Sequence, residues 1–200
     1  MKCIAVLISN TGTGSNLQAM IRAISSQELP IHIGLVLSDS AGAKGLNMAK
    51  RNNIPTRIIT KQDDTTSILN KNHIDYVALA GWKRIIPRKM MHMFKNRILN
   101  LHPGLIPDTI DGVVVCPDGS IGLWNRGLFA EKAVENTLKK KASYIGSTIH
   151  LLSNEFDFGP VLEQCFVKIK QDDTIDSLYS RLKKEEHKIY IKALKKISNS

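Results

Sequence analysis

The sequence predicts an α/β fold with a mostly parallel sheet and helices on both of its faces. Short β-branched runs such as KCIAVLIS and IHIGLVLS alternate with amphipathic segments such as NLQAMIRAIS through the first half of the chain. Buried parallel strands are almost continuously apolar, and each needs a crossover before the next strand. No repeat or low-complexity linker divides the 200 residues. We therefore expect one domain spanning residues 1–200.

The elements follow in order from a first strand at Cys3–Ser9. A helix in NLQAMIRAIS and a strand in IHIGLVLS come next, followed by a helix near 43–51, a strand in TRIIT and a short polar helix. DYVALA and ILNLH are strands on either side of a helix near 87–94. The Pro-Asp-Gly turn within VVVCPDGSIGLW then predicts a hairpin. A helix near 128–139, the strands SYIGSTIHLL and VLEQCFVKIK, and a helix from about Thr174 extend the fold beyond its parallel part.

Composition limits the functional classes. The formal net charge of +10 is compatible with nucleic acid, a membrane surface or an anionic small molecule as partner. The lysines of the last third have no aromatic interleaving, so we expect a solvated helix face there. Cys3, Cys116 and Cys165 are isolated, which favours neither a disulfide framework nor a zinc site. The sequence has no cleavage-site pattern and no run of ~20 apolar residues, so a cytoplasmic protein without a membrane span is expected.

A glycine loop, NTGTGSNLQAM at residues 10–20, joins the first strand to the first helix. Gly12 and Gly14 allow a tight turn and a close approach to a ligand. Ser15 and Asn16 add donors near a helix N-terminus, whose free N–H groups favour an anion. The loop is therefore a candidate phosphate site.

Two other interpretations of this loop stay open. A nicotinamide enzyme could hold a ribose through Asp39, although Leu17 stands where the dinucleotide fingerprint has its third glycine. The loop could also be a plain strand-to-helix turn with a Ser or Asn cap. A P-loop is excluded because no Gly-Lys-Ser/Thr follows.

A second motif is ILNLHPGLIPD at residues 98–108. Side chains alternate along a strand, so Asn100 and His102 share one face, and Pro103 ends the strand at the sheet edge where α/β proteins bind ligands. Asp157, in a Gly-Pro turn, could orient the His102 ring and raise its pKa, while Asn100 donates to a developing oxyanion. Such a site could transfer acyl groups without a metal. A histidine of this kind can also be purely structural.

Taken together, the motifs resemble a known family. VLISNTGTGSNLQAM, LAGWKRIIP, ILNLHPGLIP, GSTIHLLSNEFDFGPVLEQ and KKEEHKIY occur in the same order in the phosphoribosylglycinamide formyltransferases, the folate-dependent formyltransferases of purine biosynthesis. The resemblance runs from about residue 2 to 190. Asn-x-His-Pro and Asp-x-Gly-Pro define the wider 10-formyltetrahydrofolate transferases, and the glycine loop with Glu-Glu-His-Lys favours the glycinamide ribonucleotide branch. The resemblance implies a Rossmann-like formyltransferase fold and a cytoplasmic enzyme of one-carbon metabolism.

The resemblance also implies roles for individual residues. The catalytic set is Asn100, His102 and Asp157. Formyl folate would be held by Lys83, Arg84, Ile85, Ile86, Asn100, Ser153, Asn154, Glu155, Phe156 and Asp157. Glycinamide ribonucleotide would be held by Gly14, Ser15, Asn16 and Glu186, with Thr148 and His150 behind the site. The partners would be these two small molecules, without a metal, nucleic acid or membrane, and the chain would be a monomer or homodimer.

The sequence departs from the family pattern mainly on the acceptor side. Two extra residues lie near Asn10 and Thr11, and KQDDTTSILNKNHI lacks an arginine that the family carries there. A loop or hairpin is inserted at about 108–127, where a lid, a dimer contact or a specificity loop are all possible. The acceptor could therefore be another phosphorylated amine, such as an amino sugar nucleotide.

Further alternatives are a formyltetrahydrofolate hydrolase and a basic nucleic-acid-binding module, whose binding would weaken with salt. Instead of holding folate, the segment with Trp82 and residues 84–86 could be a plain strand-to-helix connection with core side chains. Glu186 could be an exposed helix carboxylate that pairs with Lys183.

Overall fold

The structure is a computed structural model that describes residues 1–10 and 12–199. The chain divides into two compact units, one spanning residues 1–100 and 194–199 as far as they are described, and the other spanning Leu101–Ala193. The single domain expected from the sequence stays a prediction. Of the two positions near which the glycine loop carries extra residues, Asn10 is described and Thr11 lies outside the described residues. The elements are β1 Lys2–Ile8, α1 Ser15–Ser25, β2 Ile31–Ser38, α2 Lys44–Arg51, β3 Thr56–Ile58, α3 Thr65–Lys71, β4 Tyr76–Leu79, α4 Arg88–Met93, β5 Ile98–His102, α5 Ala130–Lys139, β6 Tyr144–Leu151, β7 Val161–Lys168 and α6 Ile175–Ser198.

These seven strands follow the order β3-β2-β1-β4-β5-β6-β7 in one sheet. The pairs β1–β2, β1–β4, β2–β3 and β4–β5 are parallel, whereas β6 and β7 are antiparallel. A helix follows each of the first four strands before the next strand begins. The predicted α/β class with a mostly parallel sheet, extended by C-terminal strands, is confirmed.

In the first unit, β1 lies between β2 and β4, so the chain reverses its direction across the sheet at β1. The Ile4–Leu7 side chains of β1 have no solvent exposure, as expected for a strand covered on both faces. Open α/β sheets bind ligands at such a reversal, outside the carboxyl ends of the strands. The glycine loop follows β1, and Lys83 follows β4, so both segments begin at this edge.

In the second unit, β6 and β7 pair from Tyr144 with Lys168 onwards. A reciprocal cap begins α6, because Thr174 Oγ1 accepts from the Ser177 amide (3.2 Å) and Ser177 Oγ accepts from the Thr174 amide (3.0 Å). Tyr190 of this helix is completely buried. No helix in the described part of the chain is long and apolar enough to cross a membrane.

The segment inserted at about 108–127 contains a short hairpin. Val115 and Ile121 form an isolated antiparallel bridge. The turn closes with hydrogen bonds from the Cys116 amide to the Ser120 carbonyl (2.8 Å) and from the Gly119 amide to the Cys116 carbonyl (2.9 Å). Gly119 has a φ of 83°, which a residue with a side chain rarely adopts. The hairpin predicted from Pro-Asp-Gly is therefore present, with one bridge rather than a long ladder.

Candidate active site

His102 is the last residue of β5 and is only 2% exposed. Its Nε2 atom lies 2.6 Å from the carbonyl oxygen of Trp124. A carbonyl can only accept, so Nε2 carries a hydrogen and donates it. Nδ1 lies 3.7 Å from Asp157 Oδ2, which is too far for a hydrogen bond but close enough for electrostatic attraction. Nδ1 is therefore the nitrogen that gains a proton, and Asp157 stabilises the resulting charge.

Burial lowers the pKa of His102 below the value of a free imidazole. The Trp124 carbonyl and the Asp157 carboxylate both act in the opposite direction, but removal of the ring from water is the larger effect. Asp157 therefore raises the His102 pKa, in the direction expected from the sequence, but burial outweighs this contribution. The ring is consequently neutral near pH 7, with a lone pair on Nδ1 that can accept a proton.

Asn100 lies two residues before His102 on β5 and belongs to the first compact unit. It is half-buried and stands opposite Leu79 of β4 in the parallel register. Alternation along the strand puts the Asn100 and His102 side chains on the same side of it, as the sequence predicts.

His150 and Thr148 are completely buried on β6. The His150 ring meets the His102 ring edge to face, with 6.4 Å between centroids, and burial together with the neighbouring His102 lowers the pKa of His150 to about 4. Thr148 Oγ1 donates to the Gly104 carbonyl (2.7 Å) and accepts from the Ile106 amide (3.0 Å). These bonds hold the segment that immediately follows His102.

Asp157 is presented by a tight turn. Its φ is 49°, in the left-handed region, and its Oδ2 atom accepts a hydrogen bond from the Gly127 amide at 2.8 Å. Trp124 Nε1 donates to the Asp157 carbonyl at 3.0 Å. A side chain at Gly159 would place its Cβ 2.1 Å from the Leu151 carbonyl, so glycine is required there. Trp124 and Gly127 were not predicted as site residues, because Asn-Arg-Gly signals a turn without indicating what that turn contacts.

The rest of the 153–157 loop is held by backbone contacts and exposes its side chains. Ser153 Oγ accepts from the Glu155 amide (3.1 Å), and Arg126 Nε donates to the Phe156 carbonyl (2.9 Å). Asn154, Glu155 and Phe156 are exposed, and the Phe156 side chain reaches 66%. An exposed aromatic ring on a well-held loop is suited to contact an apolar or aromatic ligand.

Glu186 on α6 is 4% exposed, and its Oε1 atom accepts from Ser147 Oγ of β6 at 2.8 Å. Burial raises the pKa of Glu186, while Ser147 and Lys183 act in the opposite direction. The alternative that Glu186 is an exposed carboxylate on a solvated face is therefore wrong. Lys183 instead lies 4.6 Å from the centre of the Tyr179 ring.

In the first unit, the glycine loop leads directly into α1. Gly14 is the N-cap, with a φ of 76° and no side-chain capping bond, so the interpretation as a turn capped by Ser or Asn is wrong. Ser15 is the first helical residue. Asn16 Oδ1 is buried and has no hydrogen-bond partner among the described residues. The free amides of the first turn of α1 remain suited to an anion.

Ser9, the residue after β1, connects two neighbouring segments. Its hydroxyl donates to Asp39 Oδ2 (3.0 Å) and accepts from the Lys83 amide (3.2 Å). This pair of bonds fixes the start of the connection that follows β4. Asp39, the candidate ribose ligand of the nicotinamide interpretation, is held by this serine.

The 84–86 segment lines a small cavity of about 30 Å³ together with Trp82. Trp82 Nε1 is buried and has no hydrogen-bond partner in the described part of the chain, while Arg84 lies 5.8 Å from the Trp82 ring centre. Ile85 is 94% exposed. The alternative of a plain connection with core side chains does not fit an exposed isoleucine beside a cavity.

Comparison with known proteins identifies the family. The formyl transferase family model matches residues 2–194. The chain belongs to the formyl transferase family. It is 31% identical to phosphoribosylglycinamide formyltransferase of Haemophilus influenzae, over 95% of this chain and 84% of that protein. This confirms the family predicted from the five motifs.

A longer relative and a solved structure also match the chain over nearly its whole length. The chain is 32% identical to the trifunctional purine biosynthetic protein adenosine-3 of Bos taurus over 98% of its own length, but it spans only 18% of that protein. The crystal structure of phosphoribosylglycinamide formyltransferase from Anaplasma phagocytophilum matches with a TM-score of 0.83 and 32% identity, covering 98% of this chain and 86% of that chain.

Proposed function

We propose that the chain transfers a formyl group from 10-formyltetrahydrofolate to the amine of glycinamide ribonucleotide in de novo purine synthesis. The observation that carries the proposal is the buried His102, which donates through Nε2 to the Trp124 carbonyl and turns Nδ1 toward Asp157. The names of the relatives above give the reaction and its class of substrates. They support a one-carbon transferase rather than a nicotinamide enzyme or a nucleic-acid-binding module.

The chemistry assigned to this chain is proton transfer and charge stabilisation. As the amine nitrogen bonds to the formyl carbon, the neutral His102 Nδ1 accepts the proton that the amine loses, and Asp157 Oδ2 at 3.7 Å stabilises the imidazolium. The bond from the formyl carbon to the folate nitrogen then breaks, and the proton is returned to that leaving nitrogen. The Asn100 amide donates to the oxygen on which negative charge develops. Formyl folate supplies the activated one-carbon group. No side chain has to form a covalent bond with that group.

The residues proposed for formyl folate lie in two segments, 83–86 and 153–157. In the first, Trp82 Nε1 lies beside a small cavity, has no hydrogen-bond partner among the described residues, and offers a buried donor to a polar ring system. In the second, Phe156 offers an exposed ring. A fused heterocycle with an aromatic tail has both kinds of surface, so the residues present fit this cosubstrate.

The residues proposed for the acceptor are Gly14, Ser15, Asn16 and Glu186. The uncapped first turn of α1 presents free amides to the phosphate. Glu186 is assigned to the amine end, where burial raises the pKa of its carboxyl group and makes it responsive to a nearby positive charge. Another phosphorylated amine has the same two groups, so the acceptor has to be tested directly.

The decisive experiment is a spectrophotometric assay of formyl folate consumption with glycinamide ribonucleotide, with amino sugar nucleotides, and without an acceptor. We expect formyl folate to be consumed only when glycinamide ribonucleotide is the acceptor. His102→Gln should abolish it, whereas His32→Gln, at an exposed position on β2, should behave as wild type. Turnover with another amine would reassign the acceptor, and consumption of formyl folate without an acceptor would indicate a hydrolase. Equal activity of His102→Gln and His32→Gln would refute the role of His102.

We further propose that the enzyme acts in the cytoplasm as a monomer or homodimer and does not bind nucleic acid. Cell fractionation and sedimentation test the first two statements. A filter-binding assay tests the third, and salt-dependent retention of nucleic acid would contradict it.

A further inference from the structure

Asn125, within the inserted segment, is a buried polar residue whose side chain is bonded at three points. Its exposure is 8% and its φ is 53°. Asn125 Nδ2 lies 3.3 Å from the Pro103 carbonyl and 3.2 Å from Thr137 Oγ1. Asn125 Oδ1 accepts from Asn136 Nδ2 at 2.8 Å. The side chain thus ties the end of the insertion both to α5 and to the residue that follows His102.

Trp124 directly precedes Asn125, and its carbonyl accepts a hydrogen bond from His102 Nε2 at 2.6 Å. The approach is very close: a Cβ added to Gly104 would lie 1.7 Å from that carbonyl oxygen. The Leu105 amide also donates to the Leu123 carbonyl at 2.9 Å, so the segment runs alongside the chain that leaves β5. Position 104 must be glycine for Trp124 to reach the imidazole.

We propose that Asn125 is a positioning residue, which fixes the Trp124 carbonyl and thereby holds His102 in the tautomer with its hydrogen on Nε2. Asn125 does not touch the reacting atoms. This assigns a role to the inserted segment at about 108–127, which departs from the family pattern. The kinetic consequences rest on the proposed function, but the tautomer itself does not.

The tautomer decides which nitrogen of His102 can accept a proton. With Nε2 donating to Trp124, the lone pair lies on Nδ1, which faces Asp157. Without a fixed carbonyl, the hydrogen can move to Nδ1, and the nitrogen near the carboxylate then has no lone pair. The carbonyl bond also raises the His102 pKa against the effect of burial, so losing it lowers that pKa further.

The test variant is Asn125→Gly. Glycine adopts a positive φ without strain, so this change removes the three side-chain bonds and keeps the backbone conformation. Asn53→Gly is the matched control, because Asn53 has a φ of 56° and an exposed side chain on the connection after α2. Asn125→Asp is a second variant that keeps the acceptor for Asn136 and loses both donors.

The first readout is long-range ¹H–¹⁵N NMR of the histidine rings without substrates, with the His102 signals assigned from His102→Gln. We expect wild type and Asn53→Gly to show the Nε2–H tautomer of His102, and both Asn125 variants to show a mixture with a lower titration midpoint. An unchanged tautomer and midpoint in a folded Asn125 variant would overturn the proposal.

The second readout is the kinetic split between kcat and KM. We expect Asn125→Gly to lower kcat by about tenfold or more and to move the acidic limb of kcat/KM to lower pH, with little change in either KM. A wild-type pH profile, or a loss confined to KM, would overturn the positioning role. If wild type transfers no formyl group to any acceptor, the proposed function fails, while the NMR comparison still decides the tautomer.

Discussion

His150 makes the stability of the protein depend on pH. The ring is completely buried on β6, with the His102 ring 6.4 Å away, and the pKa of His150 falls to about 4 from an ordinary value of 6.5. In the unfolded chain the imidazole returns to its ordinary pKa. Between these two values the unfolded state binds more protons than the native state, so the free energy of unfolding decreases as pH falls through this range.

The size of the effect follows from the two pKa values. Lowering the pH from about 8 to about 5 should cost roughly 2 kcal/mol through His150, and complete protonation below its native pKa about 3 kcal/mol. In His150→Gln the side chain at position 150 does not titrate in this range. The variant should therefore lack the decrease in unfolding free energy that His150 causes on acidification. His102, whose pKa burial also lowers, acts in the same direction and remains in both proteins.

The assay is urea unfolding at both pH values, followed by far-UV circular dichroism and tryptophan fluorescence. The informative quantity is the difference between wild type and His150→Gln in the pH-dependent change of unfolding free energy. His32→Gln, at an exposed position, is the control and should follow wild type. The reasoning would be refuted if His150→Gln lost as much stability on acidification as wild type.

Three further changes follow from the site. Asp157→Asn removes the carboxylate that raises the His102 pKa, so the acidic limb of kcat/KM should move to lower pH; an unmoved profile would exclude this electrostatic role. Glu186→Gln preserves an acceptor for Ser147 Oγ and should raise the acceptor KM with normal folding, whereas unchanged acceptor kinetics would remove Glu186 from the site. Gly104→Ala places a Cβ 1.7 Å from the Trp124 carbonyl and should destabilise the protein by about 1 to 3 kcal/mol in urea. Gly12→Ala, where the nearest atoms are 3.9 Å away, should not, and equal stability of the two variants would contradict the packing argument.

The class of fold follows from short-range patterns. Apolar strand-length runs alternating with helical periodicity require crossovers and a parallel sheet, and the described strands pair in this way. Asn100 and His102 share a strand face because side chains alternate, which depends on nothing distant in the sequence. Family membership likewise follows from motifs that each occupy a few consecutive residues.

Burial and distant backbone contacts depend on the tertiary structure. The sequence motif indicates the effect of the Asp157 charge on the His102 pKa, but the net direction depends on desolvation by everything packed around the ring, which the motif does not show. The alternative of an exposed helix carboxylate at Glu186 could be rejected only once the structure showed it buried against Ser147. The sequence alone indicated the residues that we propose to carry the chemistry. The fold decided their protonation and tautomer, because the Trp124 carbonyl reaches His102 only after an insertion has folded back across 22 residues of chain.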